Sequence, residues 1–322
     1  MLREGKRWGC WSTVPSGRKA GAVPASLDET IARIPEWADD PDLRVTPLGG
    51  GITNRNFRVD SRGQSYVLRL AGEGTDLLGI DREAEYAATQ AAAAIGVAPE
   101  VVNFLRPEGY LVTRFINGRP IDEHEIGRPE TIRRVVEALR KVHGLSAIPG
   151  SFSAFEVVRT YAATARRLEA DFPPQFDGLQ AALDDVETQL PRSDVRPCHN
   201  DLLNANFLDD GSIRILDWEY AGMGDVYFDL ANFSRHHSFG REQDTCLLET
   251  YAGEATGGRM ARLQLMRVAS DMREAMWGLL QTVASTLDFD FRGYAEKHFH
   301  RAAEGIGDPQ WKTWIKEAAH GT

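Results

Sequence analysis

Pro197-Cys-His-Asn-Asp-Leu-Leu-Asn-Ala-Asn-Phe-Leu208, followed by Ile213-Arg-Ile-Leu-Asp217-Trp-Glu-Tyr220, is the stretch on which the reading of this chain turns. Phosphoryl transfer asks for a carboxylate beside the attacking hydroxyl, oxygen ligands for magnesium, and cationic or amide donors on the phosphates. Asp201 supplies the carboxylate that orients a hydroxyl and accepts its proton. Asn206 offers an amide oxygen to a metal, and Asp217, at the end of a strand, offers the hard carboxylate that Mg²⁺ prefers. His199 holds the loop by hydrogen bonds and is grouped with Asp201 as catalytic. A lone Asp or Asn is most often a turn residue. Here the order His-x-Asp-x4-Asn precedes two short apolar runs, Asn206–Leu208 and Ile213–Leu216, around the hairpin signal Asp209-Asp210-Gly211. That agreement of spacing and strand pattern argues against coincidence.

Working outward, the first third reads as an antiparallel sheet carrying one helix. Ser26 caps a short helix through Trp37, with Asp28 and Glu29 in its first turn. Val45-Thr-Pro-Leu-Gly-Gly-Gly-Ile-Thr-Asn-Arg-Asn-Phe-Arg-Val59 reads as strand, glycine-rich turn and strand, and Ser65 to Leu70 as a third strand. A helix over Arg82–Ile95 opens at Asp81 and stops at Gly96. Val101–Phe104 and Tyr110–Ile116 complete the sheet. Beyond Asn117-Gly118 helical period dominates, over Thr131–His143, Val157–Ala170, Leu179–Leu190, Gln243–Gly253, Arg259–Ser285 and Tyr294–Glu304. The expected architecture is α+β and bilobal: a loose tail over 1–26, a small sheet lobe over 27–116, and a larger helical lobe over 117–322. A ligand cleft is expected between the lobes.

His199-Asn-Asp-Leu-Leu-Asn-Ala-Asn206, Asp217-Trp-Glu-Tyr-Ala-Gly222 and Phe228-Asp-Leu-Ala-Asn232 together resemble the choline/ethanolamine kinase family, within the wider aminoglycoside-phosphotransferase, kinase-like superfamily. The resemblance runs from about Leu48 to Tyr294. It implies a protein-kinase-like fold and an ATP- and Mg²⁺-dependent kinase, with Asp201 as base and Asn206 and Asp217 as magnesium ligands. Gly49-Gly-Gly-Ile-Thr-Asn-Arg-Asn56 resembles the nucleotide loop, where amide groups, the Thr53 hydroxyl and Asn54 would meet phosphates. Arg69 occupies the strand position where many kinases place a phosphate-binding Lys. Glu83 matches the helix Glu that pairs with that cation, with Glu85 as the neighbouring fallback. Arg114, Phe115 and Ile116 match the hinge whose backbone reads the adenine edge. Asp229 matches a position that braces the catalytic loop.

For the acceptor, a quaternary ammonium is desolvated cheaply by aromatic faces and a nearby carboxylate. The expected set is Glu219, Trp277, Phe289 and Tyr294. Two departures, Leu280 where the family often has a second Trp and His236 where a Glu is expected, leave room for ethanolamine or another amino alcohol. The leading expectation is therefore phosphorylation of choline or ethanolamine. The alternatives are the same machinery acting on thiamine, an aminoglycoside or a sugar, and a catalytically silent kinase-like binding protein.

Composition sets the outer bounds. Lys and Arg number 37 against 47 Asp and Glu, a formal net charge of −10. That balance disfavours a nucleic-acid partner or an anionic membrane surface. No stretch reaches the roughly 20 apolar residues that span a bilayer. Cys10, Cys198 and Cys246 are too scattered for a disulfide framework or a Cys-x-x-Cys metal site, so they read as free thiols in a reducing cytosol. The chain has no Asp-Phe-Gly, which argues against a protein kinase. The expected partner is a small amino alcohol, with a homodimer left open.

Overall fold

The computed structural model describes residues 26–49, 54–72, 75–191 and 195–320. The expected tail up to residue 25 and Thr53 of the glycine-rich loop lie outside the described residues.

The chain begins with α1 (Leu27–Ala32), capped as expected: the Ser26 hydroxyl accepts from the Glu29 amide and the Glu29 carboxylate accepts from the Ser26 amide. The single helix expected through Trp37 is two, because Pro35 lacks an N–H and starts a separate turn, α2 (Pro35–Ala38). A five-stranded antiparallel sheet follows: β1 (Arg44–Leu48), β2 (Arg55–Ser61), β3 (Gln64–Leu70), β4 (Val101–Leu105) and β5 (Tyr110–Arg114), in the order β1-β2-β3-β5-β4. Between β3 and β4 runs α3 (Arg82–Ala94), capped by the Asp81 carboxylate. A small core of its own, including Trp37, Val59, Leu68, Leu70 and Val112, holds α1, α2 and this sheet together.

The rest of the chain is mainly helical. After the two-residue β6 (Arg119–Pro120) come α4 (Glu123–Ile126), α5 (Pro129–His143), α6 (Ala154–Arg167) and α7 (Phe176–Gln189). Two small sheets carry the decisive stretch. β7 (Val195–Cys198) pairs antiparallel with a later strand, β10 (Gly222–Asp225), and β8 (Phe207–Asp209) forms a hairpin with β9 (Ile213–Ile215), with β6 on its outer edge. The hairpin turns where the sequence places it, at Gly211 with φ 102°. Then come α8 (Val226–His236), α9 (Arg241–Ala252), α10 (Gly257–Ala284), α11 (Phe291–Ile306) and α12 (Trp311–His320). The 28-residue α10 is the spine of this part, packed by α6, α8, α11 and α12 and buried along most of its length. Among the described residues, no helix is long and apolar enough to cross a membrane.

Candidate active site

The catalytic loop leaves β7 at Cys198 and is tied down from below by α8. The Asp229 carboxylate accepts the backbone N–H of His199 (2.9 Å) and of Asn200 (2.6 Å), and Nε2 of His143 donates to it at 3.0 Å. Oδ1 of Asn232, one turn along, accepts the Leu202 N–H at 2.6 Å. Asn200 sits in the left-handed region (φ 64°), which Asn tolerates better than most residues, and its amide donates to the Tyr220 carbonyl at 3.0 Å. His199 is fully buried, and burial holds its imidazole pKa down. Its Nε2–H donates to the Leu216 carbonyl (3.0 Å) while Nδ1 accepts the Asp201 N–H (3.2 Å). Both ring nitrogens are thus spent on the loop, so His199 positions Asp201 and does not meet substrate. Asp229→Asn swaps an oxygen that receives N–H groups for an NH₂ and removes a buried charge. It is expected to cost about 3 kcal/mol of stability, read as a lower denaturation midpoint; an unchanged midpoint would mean the loop is braced elsewhere.

Asp201, Asn206 and Asp217 are brought together as their spacing predicts. Nδ2 of Asn206 donates to the Asp201 carbonyl (2.8 Å) and to its carboxylate Oδ2 (3.1 Å). The Leu216 N–H donates to the Asn206 carbonyl at 2.8 Å, which sets Asp217 beside Asn206. Oδ1 of Asn206 and Oδ1 of Asp217 are both buried without a hydrogen-bond partner. Buried polar atoms are normally satisfied, and two orphaned hard oxygens on residues joined through this backbone link are the kind of donor a magnesium ion takes.

Sharing a cleft of about 400 Å³ with Asp217 are Arg69 of β3, Glu85 of α3 and the chain leaving β5. Arg69 grips the Glu85 carboxylate with both terminal nitrogens, Nη2 at 2.7 Å from Oε2. Glu83, the expected partner, lies on the outer face of α3, half exposed, and binds Arg106 at 2.6 and 2.7 Å. The reason is helical phase: Glu85 shares the buried face with Ala88, Thr89 and Ala92, and Glu83 points away from it. Burial opposes the charge on Glu85, but Arg69 and Arg82 overcome it and hold its carboxyl below the usual range. Glu85→Gln is expected to cost about 3 kcal/mol by leaving buried guanidinium groups short of a partner, and Glu83→Gln under about 1 kcal/mol. Equal effects in thermal or denaturant melts would refute this pairing. Arg114, Phe115 and Ile116 line the cleft as expected. The N–H groups of Arg114 and Phe115, however, are taken by the carbonyls of Glu100 (2.8 Å) and Ser65 (3.0 Å), so they are not left to read a base edge.

Glu219, expected to face the acceptor, meets the N-terminal part of the chain. Asp217 has a left-handed backbone (φ 68°) and the chain turns tightly over 218–221, which sends Glu219 back toward the N-terminal sheet. There its Oε2 accepts from Arg82 Nη1 (2.7 Å) and Asn54 Nδ2 (2.9 Å), and its oxygens come within 4.8 Å of Asp217 and Glu85. Burial and then the neighbouring Asp217 carboxylate push its pKa up. Trp277, Phe289 and Tyr294 do meet: Trp277 is 5.3 Å from Tyr294 and Phe289 is 6.1 Å from Tyr294, centroid to centroid. Their carboxylate is Glu274, whose Oε2 accepts from the Tyr294 hydroxyl at 2.6 Å.

The sequence pattern of the phosphotransferase enzyme family matches residues 44–265, more than half of the chain and including Asp201, Asn206 and Asp217. The chain belongs to this family. Human ethanolamine kinase 2 is 29% identical to this phosphotransferase-family chain over 314 residues, covering 87% of it and 80% of the human protein. The crystal structure of a choline/ethanolamine kinase family protein from Mesorhizobium loti superposes with a TM-score of 0.78 at 29% identity, covering 91% of this chain and 98% of the other. A LicA structure in complex with AMP shares the fold, with a TM-score of 0.71 at 21% identity over 87% and 96% of the two chains. The kinase-like α+β architecture expected from the motifs is therefore the architecture of this phosphotransferase.

Three site residues, Arg82, Arg273 and Glu274, escaped the sequence reading. Arg82 joins Glu85 (2.9 Å), Glu219 and Asn54 (3.2 Å) across the cleft. Arg273 lies fully buried with its guanidinium 4.1 Å from the Tyr220 ring centroid and 4.0 Å from the Asp201 carboxylate, and it also contacts Glu274. The available signal was Asp271-Met-Arg-Glu274, charges set in the middle of a long apolar helix. Charges that a fully packed helix cannot turn to water must face partners or a ligand.

Proposed function

We propose that this protein transfers the γ-phosphoryl group of ATP to the hydroxyl of a small amino alcohol, choline or ethanolamine, in the reducing cytosol where ATP and free thiols coexist. The observation that carries the reading is the arrangement of Asp201, Asn206 and Asp217: a positioned carboxylate hydrogen-bonded to the residue whose free oxygen, with that of Asp217, fits a hard cation. Asp201 takes the proton of the acceptor hydroxyl as that oxygen attacks in line. Asn206 and Asp217 would hold magnesium, which when bound offsets phosphate charge. Arg69 and Arg82 each keep a buried Nε–H without a partner, two donors suited to phosphate oxygens. Similarity to human ethanolamine kinase 2 and to the Mesorhizobium loti protein supports the acceptor class, and the AMP complex of LicA supports a nucleotide in the cleft.

The test is ADP release from MgATP with choline, ethanolamine, thiamine and an aminoglycoside in turn. Release that depends on choline or ethanolamine is expected. Release only with thiamine or the aminoglycoside would keep the kinase and remove the amino alcohol. No release with any of the four would count against the kinase itself.

A further inference from the structure

We infer that Glu274 receives the ammonium end of the acceptor and selects an ammonium that carries at least one N–H over a fully methylated one. This inference rests on the phosphotransfer reading above and names the group that decides its substrate.

Glu274 is fully buried on α10, and the position is central. Its carboxylate, Asp201 and His236 of α8 bring ligand atoms within 4.8 Å of one another, so a molecule whose hydroxyl meets Asp201 has its other end beside Glu274. On the far side the Tyr294 hydroxyl links Glu274 to the ring cluster, where Phe289 and Tyr294 are only partly buried and leave an edge toward solvent. Glu219, the other candidate carboxylate, is committed to Arg82 and Asn54 on the nucleotide side.

Charge points to a monocation. Around the base stand the fully buried carboxylates of Asp201 and Glu274 and the guanidinium of Arg273, with the partly buried His236, whose imidazole is held toward its neutral form by desolvation although Glu274 lies 3.5 Å away. One negative charge is left over, and a buried uncompensated charge is costly. A single ammonium closes the balance; a neutral sugar leaves it open. One turn earlier on α10, Asp271 is already shared by Arg235, Arg301 and His298, so it does not compete for the acceptor.

Hydrogen bonding then separates amines from quaternary ammonium. Oε1 of Glu274 faces Arg273 and His236, whereas Oε2 accepts from the Tyr294 hydroxyl, and a carboxylate oxygen can accept a second donor. An N–H takes that site directionally and a methyl group cannot. The aromatic compensation that a trimethylammonium needs is weak here. Trp277 is fully buried and met edge-on by Phe291 (74°) and Tyr294 (85°), and Leu280, three residues on, is aliphatic.

The experiment is a methylation series on the unaltered protein at saturating MgATP: ethanolamine, N-methylethanolamine, N,N-dimethylethanolamine and choline, all cations at the assay pH. The first three keep an N–H and the last does not. The expected kcat/KM values change gradually over the first three and then fall at least about tenfold at choline, the value of one charge-assisted hydrogen bond. Choline used as well as N,N-dimethylethanolamine would overturn this inference while leaving the kinase standing. No turnover of any member would overturn both. As a second arm, Glu274→Gln is expected to raise KM for ethanolamine on the order of 10²-fold with MgATP affinity unchanged, and to flatten the series. An unchanged KM for ethanolamine in that variant would also overturn the assignment. If the variant does not fold, the series on the unaltered protein still decides.

Discussion

Asp201→Asn is expected to lower kcat by about 10³- to 10⁴-fold while MgATP affinity stays within about twofold. The substitution is nearly isosteric and removes only the capacity to take a proton. Asp201 lies at the meeting of two supports: the Asn206 amide reaches its Oδ2 at 3.1 Å, and Arg273 stands 4.0 Å from its Oδ1. Both supports come from the protein and neither touches the Arg69–Glu85 side of the cleft, so nucleotide binding is spared. The measurement pairs single-turnover ADP formation with binding of a fluorescent ATP analogue. Loss of both together would mean a general collapse of the loop, and retention of a tenth or more of the rate would remove Asp201 from the role of base.

Asp217→Asn is expected to move the magnesium requirement upward by about tenfold or more and to lower kcat by about 10²-fold. Oδ1 of Asp217 makes no hydrogen bond within the protein, so its carboxylate contributes little to the fold. The backbone there is left-handed, φ 68°, a conformation Asn adopts as readily as Asp. The variant should therefore melt within about 1 kcal/mol of the unaltered protein, and extra magnesium should recover part of the rate. A magnesium titration curve that does not move would show that the metal is held elsewhere.

The loop and hairpin that carry Asp201, Asn206 and Asp217 were legible because hairpin signals are read from neighbouring residues. The five-stranded sheet was legible for the same reason, with every strand after β1 marked by a turn or by alternation. Pairings that depend on distant partners were not. Nothing in Val195–Cys198 shows that it lies beside Gly222–Asp225, since each is only four residues long and carries Pro or Gly, which weaken a strand signal. Helix α8 was hidden behind a motif read for its Asp and Asn, although Asp225 caps its N-terminus by accepting the Tyr227 amide at 2.9 Å.

Choosing Glu85 over Glu83 needed the phase of one helix, and the small residues Ala88 and Ala92 on the Glu85 face carried that information. Glu219 could not be placed at all from spacing. Two residues after a metal-side Asp suggests the same cleft, but the positive φ at Asp217 turns the side chain to the nucleotide side. The aromatic cluster was found while its carboxylate was missed, because Glu274 reads as one charge among several on α10 until Tyr294, 20 residues later, folds back to donate to it.

The central claim is transfer of phosphate to a hydroxyl at Asp201, and the most direct measurement is the fate of the γ-phosphoryl group, followed by phosphorus NMR with MgATP and ethanolamine. The account predicts a phosphomonoester of the acceptor forming in step with ADP, and its absence with Asp201→Asn. ADP accompanied only by inorganic phosphate, or phosphomonoester formed equally by the variant, would contradict it.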